Sequence, residues 1–309
     1  MLQKHAARLV FALVVCVALI IIGRNLYRKH LSQELIEALH KHDHAKTLTL
    51  LQRGVDPNAP SANKNASLSL YGAESVSPLY FAVEANDANT VNLLLAHGAK
   101  PDSIAFNLAT SQNYHAIAMT LLQNGADPNA RRSDLAWKTL DIDMPITDAA
   151  KHLDATLLQA MLDKGANPNV KNEFSQTALI IACNKGRRDV AEMLIRRGAD
   201  PNIMGDGRTA LTAHLSSGNN PYIALVRLLL DHKAAVNLHK PDQFSALMLA
   251  STFGSVELIK LLLAAGADPR VRVKSTQQGN SGEWTALRLA QRAKRSDVVR
   301  LLQQAGATE

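Results

Sequence analysis

A chain of 309 residues, 47% hydrophobic but only 4% aromatic, is long enough for one or two ordinary domains or one extended array, and is thin in rings for a single large core. Two cysteines, Cys16 and Cys183, exclude a disulfide framework and leave the redox compartment unread. The net charge of +7 sits at the ends, with +5 in residues 1–30, +5 in residues 270–309 and −3 across the 239 residues between, which excludes a nucleic-acid surface running the length of the chain.

The first predicted element is apolar. Leu9 to Gly23 contains no charged side chain, and with Ala6 and Ala7 added and Arg8 turned outward it gives about eighteen residues, or about 27 Å of helix. That length is close to the ~30 Å hydrocarbon core and predicts a single transmembrane span in contact with the lipid bilayer. The run ends Ile21-Ile22-Gly23-Arg24 without a small-residue cleavage site, which favours an uncleaved signal anchor over a cleaved leader and a secreted effector. Lys4 and Arg8 on one side nearly balance Arg24, Arg28 and Lys29 on the other, and the short amino-terminal tail favours repeats outside the cytoplasm. The predicted division is therefore residues 1–30, a short cytoplasmic tail, anchor and basic flank, and residues 31–309, a single repeat domain.

From residue 31 onward one phrase recurs: leucines, two variable residues, then Gly-Ala-Asp-Pro-Asn. Its marker position holds Gly54, Gly98, Gly125, Gly165, Gly198, Lys233, Gly266 and Gly306, in steps of 44, 27, 40, 33, 35, 33 and 40 residues. A second phrase precedes it, as in Ser77-Pro78-Leu79-Tyr80-Phe81-Ala82, Thr177-Ala178-Leu179, Thr209-Ala210-Leu211, Ser245-Ala246-Leu247 and Thr285-Ala286-Leu287. The 33-residue period and the T-P-L-H-x-A-like phrase, with its His absent, resemble the ankyrin repeat over residues 31 to 307. The resemblance implies an all-α ankyrin-repeat solenoid of about eight helix-turn-helix repeats joined by β-hairpin loops. It also implies a non-enzymatic protein whose work is to scaffold or inhibit a partner protein, and anchored members of this kind occur in bacteria, which points to the bacterial inner membrane.

The residue types fit that chemistry. Ser or Thr accepts a bond from an orphan amide of the first helix, and Pro fits the first helical position because it has no amide hydrogen. Gly supplies the left-handed cap of the second helix, and Asp-Pro-Asn turns the chain outward. Lys233 breaks the rule, and if left-handed it costs roughly 1 kcal/mol. The copy ending at Gly125 lacks the opening phrase, which predicts a truncated hairpin. Residues 59–76, 130–143 (with Trp137, Asp141 and Asp143) and Val271 to Gly282 read as lengthened hairpins.

No cofactor or small-molecule motif stands out: C-x-x-C, H-E-x-x-H, Walker and G-x-S-x-G patterns are missing. His40 and His44, four apart with His42 and Asp43 between, have the spacing of a metal pair. The same stretch reads more simply as a helix-turn-helix with His42 at the turn and Asp43 as a cap. Cys183 falls in an alanine-rich helix, where a small buried side chain is expected. In ankyrin-like arrays the residue before the Ser/Thr and the pair after the helical alanines face the concave groove. Gln176, Asn184, Lys185 and Thr252 fall at such places, and the candidate partner-binding set is Phe244, Phe253 and Trp284 edged by Arg208, Lys274 and Arg292. Aromatic and Arg side chains are the usual anchors of interfaces.

Overall fold

The computed structural model describes residues 2–62, 75–130, 144–152, 154–217, 223–275 and 282–308, and these hold sixteen helices and two short hairpins. The chain forms two compact units, Met1–Leu140 and Asp141–Glu309. The first contains the pairs α1 (Leu2–His40) and α2 (His44–Gln52), α3 (Pro78–Glu84) and α4 (Ala88–Ala96), and α5 (Ser103–Ser111) and α6 (His115–Gln123). A hairpin of β1 (Ser61–Ala62) and β2 (Ser75–Val76) separates the first two pairs. The second unit contains α7 (Pro145–His152) and α8 (Ala155–Asp163), α9 (Ala178–Asn184) and α10 (Arg188–Arg196), α11 (Ala210–Ser216) and α12 (Ile223–Asp231), then α13 (Ala246–Phe253) and α14 (Val256–Ala264). It ends with β3 (Val273–Ser275), β4 (Gly282–Trp284), α15 (Ala286–Arg292) and α16 (Ser296–Gln304).

Each unit is built of two rows. First helices stack on first helices (α1, α3, α5; α7, α9, α11, α13, α15), and second helices stack on second helices (α2, α4, α6; α10, α12, α14, α16). The residues between the rows are the small and branched ones that the repeat supplies: Leu79, Ala82, Val91 and Leu94 in the first unit, Leu179, Ala182, Val190 and Leu194 in the second, each at most 2% exposed. Alanine in the first helix lets backbones approach, and each leucine buried this way is worth about 1.5–3 kcal/mol. A single pair has no second layer to cover its apolar face, so stability arises between neighbours.

Local chemistry starts and stops each helix. Ser77, Asp102, Thr177, Thr209, Ser245 and Thr285 accept hydrogen bonds from the amides three residues on. After each second helix the chain turns left-handed at Gly54, Gly98, Gly125, Gly165, Gly198, Lys233, Gly266 or Gly306. The next amide then bonds back five residues, as from Val55 to Leu50 or Ala307 to Leu302, at 2.9–3.2 Å. Lys233 takes that conformation with φ 66°, as its position predicts. Between Gly98 and α5 there is no hairpin, because Asp102 stands where other copies carry the turn Asn and is itself the helix cap.

The turn asparagine does more than redirect the chain. Asn58, Asn169, Asn202 and Asn237 each reach into the following repeat, donating to the carbonyl of its left-handed residue at 2.8–3.0 Å. Each also accepts from the amide two residues beyond, at 2.6–2.9 Å. Arg270 takes the Asn place in the last step and donates to Gly306 O. The turn at Gly205–Arg208, bridged by a single pair of backbone bonds, closes tightly through Asp206 and Gly207, both at positive φ. Gly205 must be glycine, since a Cβ there would lie 2.2 Å from the Ser175 carbonyl oxygen.

The amino-terminal expectation needs correction. No helix among the described residues is long and apolar enough to cross a membrane. α1 runs unbroken past the expected boundary at residue 30, acquires Arg24, Arg28, Lys29, Glu34 and Glu37 after Ile22, and ends packed in the first repeat through Leu35, Ala38 and Leu39. The described helices therefore do not support a single-pass anchor through Leu9–Gly23, its contact with a lipid bilayer or the membrane localisation. Residues 63–74, 131–143 (with Trp137, Asp141 and Asp143) and 276–281, expected in lengthened hairpins, lie outside the described residues.

Two substitutions test the joints in opposite directions. Asn202→Ala removes both inter-repeat bonds and is expected to lower stability by about 1–2 kcal/mol. Lys233→Gly relieves the left-handed side chain and is expected to raise it by about 0.5–1 kcal/mol. Urea denaturation of the parent and both variants measures each shift.

Candidate functional site

Trp284 is the last residue of β4 and directly precedes Thr285, the hydroxyl cap of α15. Phe244 holds the same place before Ser245, the cap of α13. Stacking of the two repeats brings the rings together, centroids 6.3 Å apart and tilted by 59°, both half-buried. Arg288 and Arg292, four residues apart on α15, share one helical face. Their guanidinium carbons lie 5.6 and 5.4 Å from the centre of the Trp284 ring. The ring quadrupole attracts each cation by about 0.5–1 kcal/mol at such an exposed place.

The polar neighbours divide the two arginines. Arg288 donates to the Glu283 carbonyl, and the Glu283 carboxylate is paired with Arg272 at 2.9 Å. Arg292 is exposed and makes no hydrogen bond or ion pair among the described residues.

Three of the six candidate residues thus come together: Phe244, Trp284 and Arg292. Arg208 is exposed beside the Gly205–Arg208 turn, Phe253 is half-buried at the end of α13, and Lys274 is exposed on β3 opposite Glu283. No ring or cation contact joins these three to the Phe244–Trp284 pair among the described residues. The residue missed from sequence is Arg288. It occupies the slot filled elsewhere by buried Tyr80, Thr147, Ile180, Thr212 and Met248, and its four-residue spacing to Arg292 was the available signal.

The histidine cluster separates. The turn at His42, with φ 53°, ends α1 before the two imidazoles share a face. His40 bonds the Ile36 carbonyl and packs 4.6 Å from the Phe81 ring. His44 bonds Thr90 Oγ1 and lies 3.5 Å from Asp87. Asp43 caps α2 by accepting from Lys46 N. No cluster of three or more metal-ligating side chains occurs among the described residues. Cys183 is fully buried, and burial pushes its thiol far above the ordinary range, so it is not an activated nucleophile.

A second unforeseen group lies where α7 meets the turn before α9. Asp148 is 3% exposed, in the slot that Phe81, Ile181, Ala213, Leu249 and Leu289 fill elsewhere. Burial, with Glu173 adding to it, pushes the Asp148 carboxyl up to about 7. One Asp148 oxygen and the Asn172 amide nitrogen, both buried, lack hydrogen-bond partners among the described residues. Lys151 lies 5.7 Å over the ring of Phe174, which is 54% exposed.

Comparison with known proteins follows the repeat geometry. The family model for ankyrin repeats (3 copies) matches residues 146–239, 191–273 and 213–308, and the ankyrin repeat model matches residues 76–105. The chain is 28% identical to the B-cell lymphoma 3 protein homolog of Mus musculus over 237 residues, 72% of this chain and 50% of that protein. It is 32% identical to the nuclear factor NF-kappa-B p105 subunit of Gallus gallus over 146 residues, 45% of this chain and 14% of that protein. It is 28% identical to the ankyrin repeat and KH domain-containing protein mask-1 of Caenorhabditis elegans over 198 residues, 62% of this chain and 7% of that protein. The chain therefore spans at most half the length of these relatives, and all three are animal proteins, which leaves the expected bacterial inner-membrane placement without support.

Asp148 gives a pH-dependent expectation. Its folded-state pKa is raised above the ordinary 3.8, so the folded chain holds the proton more tightly and stability falls as pH rises from about 4 to about 7. Asp148→Asn removes that loss. At pH 8 the variant is expected to be more stable than the parent by roughly 2–4 kcal/mol, with the gap closing by pH 4. Denaturation across that pH range measures it.

Proposed function

The chain belongs to the ankyrin-repeat family, and from that premise we propose that it works by binding a partner protein through the hairpin-side surface centred on Phe244, Trp284, Arg288 and Arg292. Arg208, Phe253 and Lys274, expected in the same surface, stand apart from this centre and are not needed for the reading. The protein acts as a scaffold or inhibitor, by shape and charge and without turnover. The observation that carries the reading is Arg292: a guanidinium held near an indole with its donors unspent among the described residues. Were the rings present only to pad one hairpin against the next, nothing would require two cations four residues apart over Trp284. Aromatic and arginine side chains at the centre of a surface are the ones that dominate protein interfaces.

The test is comparative affinity capture with full-length parent, Arg292→Glu and the double variant Phe244→Ala/Trp284→Ala, alongside melting curves. Arg292 is exposed, so its variant is expected to keep the parent's melting temperature while losing captured partner by about tenfold or more. The double variant is expected to lose capture as well, with some loss of stability because both rings are half-buried. A folded Arg292→Glu protein that captures the same partners equally well would overturn the reading.

A further inference from the structure

Resting on that reading, we infer that the feature recognised at Trp284 is an acidic peptide segment of the partner, with a carboxylate taken edge-on by Arg292. Arg292, 5.4 Å from the centre of the Trp284 ring, is exposed with its N–H groups unpaired among the described residues, and the planar fork of a guanidinium matches the two oxygens of a carboxylate. Arg288 beside it has Nη1 engaged with the Glu283 carbonyl and keeps its full charge near the site. The acid next to Trp284 in sequence, Glu283, already bonds Arg272, and Asp297, five residues beyond Arg292, makes no ion pair with it among the described residues.

The wider charge agrees. Residues 270–309 carry +5, with Lys274, Lys294, Arg295 and Arg300 all exposed, whereas the 239 residues between them and the amino-terminal 30 carry −3. An acidic segment is drawn to residues 270–309, and to the equally charged amino-terminal 30, over the residues between, and the Phe244–Trp284 pair beside Arg292 is what distinguishes this end. Half-buried Phe244, 6.3 Å from Trp284, offers apolar surface to an aliphatic side chain next to the carboxylates. Single-stranded nucleic acid fits less well. Its bases need open aromatic faces, and the Trp284 ring already has two guanidinium groups within 5.6 Å of its centre.

The experiment measures binding of the full chain to three fluorescein-labelled probes: a twelve-residue peptide of repeated Glu-Glu-Leu, its Gln-Gln-Leu counterpart, and a twelve-nucleotide oligothymidine. The acidic peptide is expected to bind best, and its affinity to fall about tenfold in Arg292→Gln and about threefold in Arg292→Lys, which keeps the charge but not the planar fork. Raising salt is expected to weaken it further. Equal binding of the Gln peptide, tighter binding of the oligonucleotide, or an unchanged affinity in Arg292→Gln would each overturn the inference. If the acidic peptide does not bind while Arg292→Glu still loses its captured partner, the acidic-segment inference fails and the protein-binding reading stands. If capture too is unchanged, both fall.

Discussion

The carbonyl oxygens left over where each second helix ends are the constraint on which the rest of the structure depends. A helix cannot satisfy its last carbonyls internally, and here the residues that end the second helices are exposed, so their carbonyls are left to the solvent unless the chain itself supplies donors. The chain answers twice. A left-handed residue folds the next amide back onto the helix, and the Asn of the preceding turn reaches over to the carbonyl of that same residue. The second bond joins neighbours about 30 to 40 residues apart, so capping one helix also sets the spacing between two.

That spacing positions the functional surface. Phe244 and Trp284 are 40 residues apart in the chain and occupy equivalent places in consecutive copies, immediately before a Ser or Thr cap. The cap needs an extended backbone on its amino-terminal side, which holds the preceding side chain at the edge of the hairpin rather than in the core. Repeat stacking then converts equivalent places into neighbours. A residue one turn into the helix, such as Arg288, is normally buried; an arginine there swings out and joins the ring at the edge.

Asp148 is a place where local and global demands disagree. The fold asks for an apolar residue between first helices, and the chain supplies a carboxyl that burial and Glu173 keep protonated to about pH 7. Such conflicts weaken one joint of an array while leaving the others intact, because each copy touches only its neighbours. The amino-terminal helix shows the opposite error of reading. An apolar run of spanning length looks like an anchor in isolation, yet no described helix meets that requirement, and α1 spends its far end as the first helix of the first repeat.

Sequence alone determined the repeat, its caps, the cap position that Lys233 fills, a shortened connection before Ser103 and the turn at His42, because each rests on contacts within a few residues and on backbone preferences that individual side chains declare. Tertiary structure alone decided that Asn58, Asn169, Asn202 and Asn237 clamp the following copy, that Arg288 joins Arg292 over Trp284 while Arg208, Phe253 and Lys274 stay apart from it, and that Asp148 is buried beside Glu173. Those outcomes depend on which side chains of different repeats meet. A periodic sequence gives the same slots to every copy, and only the packing of real side chains shows which slots touch.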